Sequence, residues 1–112
     1  MMVTLLKSKI HRIRVTGKEI NYEGSITIDI DIMREVDLLP YERVEVYNIT
    51  NGERFSTYVI PGKQGSAEVI LNGATARKGE VGDLLIVVSY ITLPIEEAKK
   101  YKPKVYVFEK HI

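Results

Sequence analysis

Turn-forming residues divide this chain at short intervals. Gly24-Ser25, Asn51-Gly52, Pro61-Gly62, Asn72-Gly73 and Pro94 fall between runs rich in Val, Ile and Tyr, at residues 43–49, 55–60, 67–71 and 84–91. Runs this short, bounded by residues that accept positive φ or fix φ, read as strands, so the chain is expected to be a mostly β domain. Residues 26–32 add an alternation of Ile26, Ile28, Ile30 and Ile32 with Thr27, Asp29 and Asp31, the period of a half-buried strand. Between Ile10 and Ile13 the apolar parity changes, which predicts a bulge in a long first strand. Asn51-Gly52 predicts a two-residue type I′ hairpin that places Tyr47 near Arg54 and Tyr58. Two short helices are expected, at 30–36 and 94–101. The second opens on Pro94, with Glu96 and Glu97 in its first turn and Lys99 and Lys100 in its last.

With 112 residues there is room for one domain and one core. Sixteen basic residues against fifteen acidic ones give a net charge of +1, which argues against a polyanion partner such as nucleic acid. Apolar runs are too short to span a membrane, and the opening MMVTLLKSKIH has no signal-peptide core, so a cytoplasmic protein is expected. The absence of cysteine removes thiolate chemistry, and only His11 and His111 offer imidazole. The acidic residues lack metal-ligand spacing, so no metal site is expected.

Strand patterning leaves Lys9, Arg54, Thr57, Tyr58 and the Asn72-Gly73-Ala74-Thr75 turn unexplained. Each also has a plainer reading: a solvated strand cation, a β-branched strand former, a core aromatic, another hairpin turn. Ser25 lies outside a G-x-S-x-G elbow, and two histidines are poor material for a triad. A different use of Ser25 survives. In NYEGSITID, a strained Gly24-Ser25 bond would let the hydroxyl attack the preceding carbonyl and turn the amide into an ester. β-Elimination then leaves dehydroalanine at position 25, and its hydrolysis releases ammonia and leaves a pyruvoyl ketone. The plain alternative is a loop-to-strand junction that stays whole.

The same residues resemble a known family, the pyruvoyl-dependent aspartate 1-decarboxylases. The likeness runs through LLKSKIHRIRVT, NYEGSITID, TNGERFSTY, LNGATA, VGDLLIVVSY and Pro94-Ile95-Glu96-Glu97-Ala98. It implies a six-stranded double-psi β-barrel with short helices, assembled as a homotetramer. It also implies self-cleavage into residues 1–24 and 25–112, with or without an accessory maturation protein. The reaction implied is decarboxylation of L-aspartate to β-alanine for pantothenate and coenzyme A synthesis. A covalent pyruvoyl group made from Ser25 would form a Schiff base with the substrate, in place of pyridoxal phosphate or a metal.

By the same resemblance Tyr58 is the proton donor, and Gly24, Ser25 and Thr57 serve processing. Thr57, Gly73, Ala74, Thr75, Arg54 and Lys9 bind substrate, while Asn72, Tyr22 and Tyr47 support them. Thr75 and Arg77 stand where the family pattern has an alanine and a histidine, and Tyr47 stands where tryptophan is common. Two other readings remain. One is a non-enzymatic small β-barrel binding or regulatory domain in which Gly82-Asp83 is only a turn. The other is a pyruvoyl decarboxylase of altered substrate, reshaped by Tyr47 and Thr75.

Overall fold

The computed structural model of the chain describes residues 1–108, so His111 lies outside the described residues. The first strand, β1 (Met2–Arg14), runs antiparallel to β7 (Leu84–Pro94), from Met2 opposite Pro94 to Arg14 opposite Leu84. Its register slips between His11 and Ile13, where Arg12 has φ 72°. That is the expected bulge, and it lets Ile10 and Ile13, three residues apart, both enter the core. A second slip, between Leu6 and Ser8, has no counterpart in the sequence reading.

Past β1 the chain crosses to the other end of the sheet. Thr16 N donates to Val69 O at 2.8 Å, and β2 (Gly17–Glu19) then lies parallel to β6 (Val69–Asn72). Next comes β3 (Ser25–Asp29), antiparallel to β6 on one side and parallel to β5 (Arg54–Gly62) on the other. Strand β4 (Arg43–Asn48) joins β5 to β7, and β8 (Lys104–Val107) adds parallel to β1. The described order is β2-β6-β3-β5-β4-β7-β1-β8. Ile10, Ile26, Ile28, Val44, Val46, Val59, Leu71 and Val87 fill the interior between these strands.

Three sequence expectations need correction. The alternation at 26–32 is not one strand, because β3 stops at Asp29 and Ile30 and Ile32 lie in α1 (Ile30–Glu35). Asp29 sets that boundary by capping the helix, its Oδ1 accepting from Asp31 N at 2.9 Å. Nor is Asn51-Gly52 a type I′ turn: Gly52 has φ 80° but Asn51 does not have positive φ, and Asn48 N donates to Glu53 O across a longer loop. The buried Asn48 is the reason. Its Oδ1 accepts from Thr50 N and Asn51 N while its Nδ2 donates to Asp83 Oδ2 at 2.9 Å. The second helix is only α2 (Ile95–Ala98), so Lys99 and Lys100 follow it; Pro103 disfavours helical backbone just beyond. The fold is mostly β, as expected, and the described sheet has eight strands with β2 and β8 at its edges.

Asp29 also holds the loop before β6. Its carboxylate accepts from Gly65 N at 3.2 Å and Ala67 N at 2.7 Å as well as from Asp31 N. Burial by itself raises its pKa, but the three backbone donors outweigh burial and hold it below the usual value. A depressed folded pKa stabilises the fold above the unfolded value, about 3.9, and that contribution fades as pH falls further. Asp29→Asn should therefore lower stability at pH 7 by about 1–3 kcal/mol in denaturant titrations, with a smaller gap at pH 3.

Candidate active site

Ser25 opens β3 opposite Asn72, the last residue of β6, and is only 1% exposed. Asn72 Nδ2 donates to Ser25 Oγ at 3.0 Å and to Thr27 Oγ1 at 2.9 Å. Thr27 went unread in the sequence, although its place two residues after Ser25 puts it on the same strand face. Beyond Asn72 the chain enters a 3-10 helix, Gly73–Lys78, rather than a hairpin turn. From its first turn Thr75 Oγ1 donates to Ser25 O at 3.1 Å and to Asn72 O at 2.8 Å. The Thr75 hydroxyl is therefore directed at the Ser25 and Asn72 carbonyls.

Gly73 explains how the two segments meet. It has φ 63°, and a Cβ there would lie 2.5 Å from Tyr22 O and 2.8 Å from Gly24 N. Only a residue without a side chain lets the backbone of residues 22–24 press against the turn. Gly24 differs, since a Cβ on it would meet nothing within 4 Å and its φ is not positive. No strain at Gly24 follows from its φ. Ser25 Oγ lies 3.5 Å from Glu23 O, a long contact that directs it back along the chain.

The β3–β5 pairing begins at Ile26 opposite Val59, so Ser25 and Tyr58 are the residues just before its first pair, and Gly24 and Thr57 come one residue further back. Thr57 pairs with Val44 across β4, and the Tyr58 ring packs on Tyr41 with centroids 6.0 Å apart.

The cations lie elsewhere on the chain. Arg54 is four residues from Tyr58, roughly 13 Å along the strand. Its guanidinium sits 4.2 Å above the ring of Tyr47, its ladder partner, so the expected Tyr47–Arg54 contact is present, whereas Tyr58 pairs with Arg43, four residues along β4 from Tyr47, and the expected approach of Tyr47 to Tyr58 is not made. The Tyr47 hydroxyl lies 3.3 Å from that of Tyr90. This hydrogen bond and burial push the Tyr47 phenol above its usual pKa, while Arg54 pulls it down. Lys9 sits on β1, with β7, β4 and β5 between it and β3. A hollow of about 300 Å³, lined by residues that include Arg12, Ile13, Ile32, Leu84 and Phe108, contains none of the groups around Ser25.

The site's segments coincide with a family signature that spans the chain. The sequence profile described as "Aspartate decarboxylase" matches residues 1–111. The chain belongs to the aspartate decarboxylase family. Similar proteins named aspartate 1-decarboxylase include one from Sulfurihydrogenibium sp. (strain YO3AOP1), 52% identical over 110 residues that cover 97% of this chain and 82% of the relative. Another from Persephonella marina is 55% identical, covering 91% and 73%, and one from Syntrophus aciditrophicus is 56% identical, covering 92% and 89%. In this aspartate decarboxylase family member the buried Ser25–Asn72–Thr75 cluster and the distant Arg54–Tyr47 pair both lie within the matched length of chain. Among the described residues no group of three or more His, Asp or Glu side chains converges as a metal site would, and no helix is long and apolar enough to cross a membrane.

Proposed function

We propose that this chain is a cytoplasmic aspartate 1-decarboxylase, which converts L-aspartate to β-alanine and carbon dioxide for pantothenate and coenzyme A synthesis. It cuts itself between Gly24 and Ser25, leaving residues 1–24 and 25–112. The observation that carries the reading is the donor pair around Ser25: the Asn72 amide on its Oγ and the Thr75 hydroxyl on its carbonyl. As Oγ gives up its proton and attacks the Gly24 carbonyl carbon, negative charge develops on the Gly24 carbonyl oxygen; the Asn72 amide holds Oγ in place for that attack, with Thr57 assisting from the next strand.

These residues also fit the family's prosthetic group, because position 25 is buried and its carbonyl, which the group retains, accepts from Thr75 Oγ1. A pyruvoyl group there supplies, when formed, the carbonyl that draws off the electron pair left as carbon dioxide departs. The chain's own groups do the rest. Asn72 steadies an oxygen at position 25, and the Tyr58 hydroxyl returns a proton to the substrate Cα. Thr57 and the backbone N–H groups of Gly73, Ala74 and Thr75 hold substrate, with Tyr22 closing the turn. Arg54 and Lys9 supply positive charge for a carboxylate. Their firmest hold should be on the β-carboxylate, because pairing the α-carboxylate would stabilise the ground state more than the transition state.

Arg54 and Lys9 do this for a neighbouring copy. Arg54 lies four residues, roughly 13 Å, along β5 from Tyr58, and its guanidinium packs on Tyr47, which supports its serving the position 25 of a neighbouring copy. The assembly proposed is a homotetramer of six-stranded double-psi barrels. Strands β1, β3, β4, β5, β6 and β7 would form each barrel, and the bond from Thr16 N, just past the end of β1, to Val69 O, at the start of β6, supports closure between those two strands. Purified protein given L-aspartate should release equal amounts of β-alanine and carbon dioxide without added cofactor. A different amine product from another amino acid, with aspartate untouched, would move the assignment to an altered substrate.

A further inference from the structure

Tyr41 has backbone φ 70°, a conformation that a bulky residue seldom holds without cause. Several bonds hold it there. Tyr41 N donates to Val59 O at 2.7 Å, Val59 N to Glu42 O at 3.0 Å, and Leu39 N to the Glu42 carboxylate at 2.9 Å. Lys7 Nζ, reaching from β1, pairs with the same carboxylate at 3.1 Å and donates to Asp37 O. This strained loop buries little of the tyrosine, which is 75% exposed. What the conformation achieves is placement of its ring on that of Tyr58, at 6.0 Å and a 39° tilt.

We infer that Tyr41 is a positioning residue for Tyr58, and that the Lys7–Glu42 clamp holds the strained backbone to keep the two rings together. The inference rests on the reading of Tyr58 as proton donor. A half-buried phenol on a sheet face turns about two χ angles, and a ring laid against it removes orientations that aim the hydroxyl away from substrate. Proton transfer depends steeply on that aim, whereas substrate binding does not.

The test uses the mature protein and the variants Tyr41→Ala, Tyr41→Gly, Tyr41→Phe, Tyr58→Phe and Tyr41→Ala/Tyr58→Phe. Tyr41→Ala should lower kcat about five- to tenfold with KM little changed, while Tyr41→Phe retains most of the rate. Tyr41→Gly should lower kcat to the same degree yet raise Tm by roughly 2–5 °C, since glycine accepts φ 70° without strain. A purely structural tyrosine would not separate the two readouts in that direction. In the Tyr58→Phe background the Tyr41→Ala change should have no further effect on kcat. An unchanged kcat in Tyr41→Ala, or a full additional loss in the double variant, overturns the inference alone. Wild-type turnover in Tyr58→Phe would instead remove the proton-donor reading beneath it.

Discussion

Ser25→Ala should leave the chain in one piece and abolish aspartate decarboxylation. Alanine has no hydroxyl to attack the Gly24 carbonyl and nothing to eliminate, so neither the cut nor the ketone can form. The change removes only Oγ from a buried position, and Asn72 Nδ2 keeps its bond to Thr27 Oγ1. The variant should therefore fold, which circular dichroism and gel filtration check directly. A folded Ser25→Ala protein that is cut and active like the parent would falsify the self-cleavage account.

Tyr58→Phe and Arg54→Ala should fail in different ways. Phenylalanine keeps the ring on Tyr41 and removes only the hydroxyl, so cutting and substrate binding should survive while kcat falls by about two to four powers of ten. Arg54→Ala removes the charged fork, and the loss should appear mainly in kcat/KM for aspartate, with little effect on cutting. If Arg54 serves a neighbour's site as proposed, a mixture of Arg54→Ala and Ser25→Ala chains should regain some activity when subunits exchange. Equal losses in kcat and KM for the two single variants would show that the roles of Tyr58 and Arg54 are misassigned.

Asn72-Gly73 and Gly24-Ser25 were legible as local backbone punctuation, whereas the meeting of Ser25 with Asn72, 47 residues apart, is set by the β3–β6 register and could not be read from either segment alone. The bulge at Arg12 was equally readable, since moving two apolar residues from even to odd spacing leaves few alternatives. What escaped depends on side chains competing with backbone preference. Asn48 captured the amides of Thr50 and Asn51 and replaced the favoured hairpin with a wider loop, driven by a partner, Asp83, that is distant in sequence.

The strand ends were lost for related reasons. Asp29 ends β3 by capping α1 although the isoleucine alternation continues, and β2, three residues of Gly, Lys and Glu, carries no strand signal at all. Val105-Tyr106-Val107 did carry one and could have marked β8. Tyr41 left no trace, because positive φ at a tyrosine is imposed by the loop around it rather than by its own preference. The separation of Arg54 from Ser25 was likewise invisible until the strand order was known.

The most direct measurement is the intact mass of the protein as purified, followed by chemical sequencing of its fragments. The account predicts two species, residues 1–24 and 25–112, the larger blocked to amino-terminal sequencing until its ketone is reductively aminated. A fully active preparation that contained only the uncut 112-residue chain, with a free amino terminus and Ser25 intact, would contradict it.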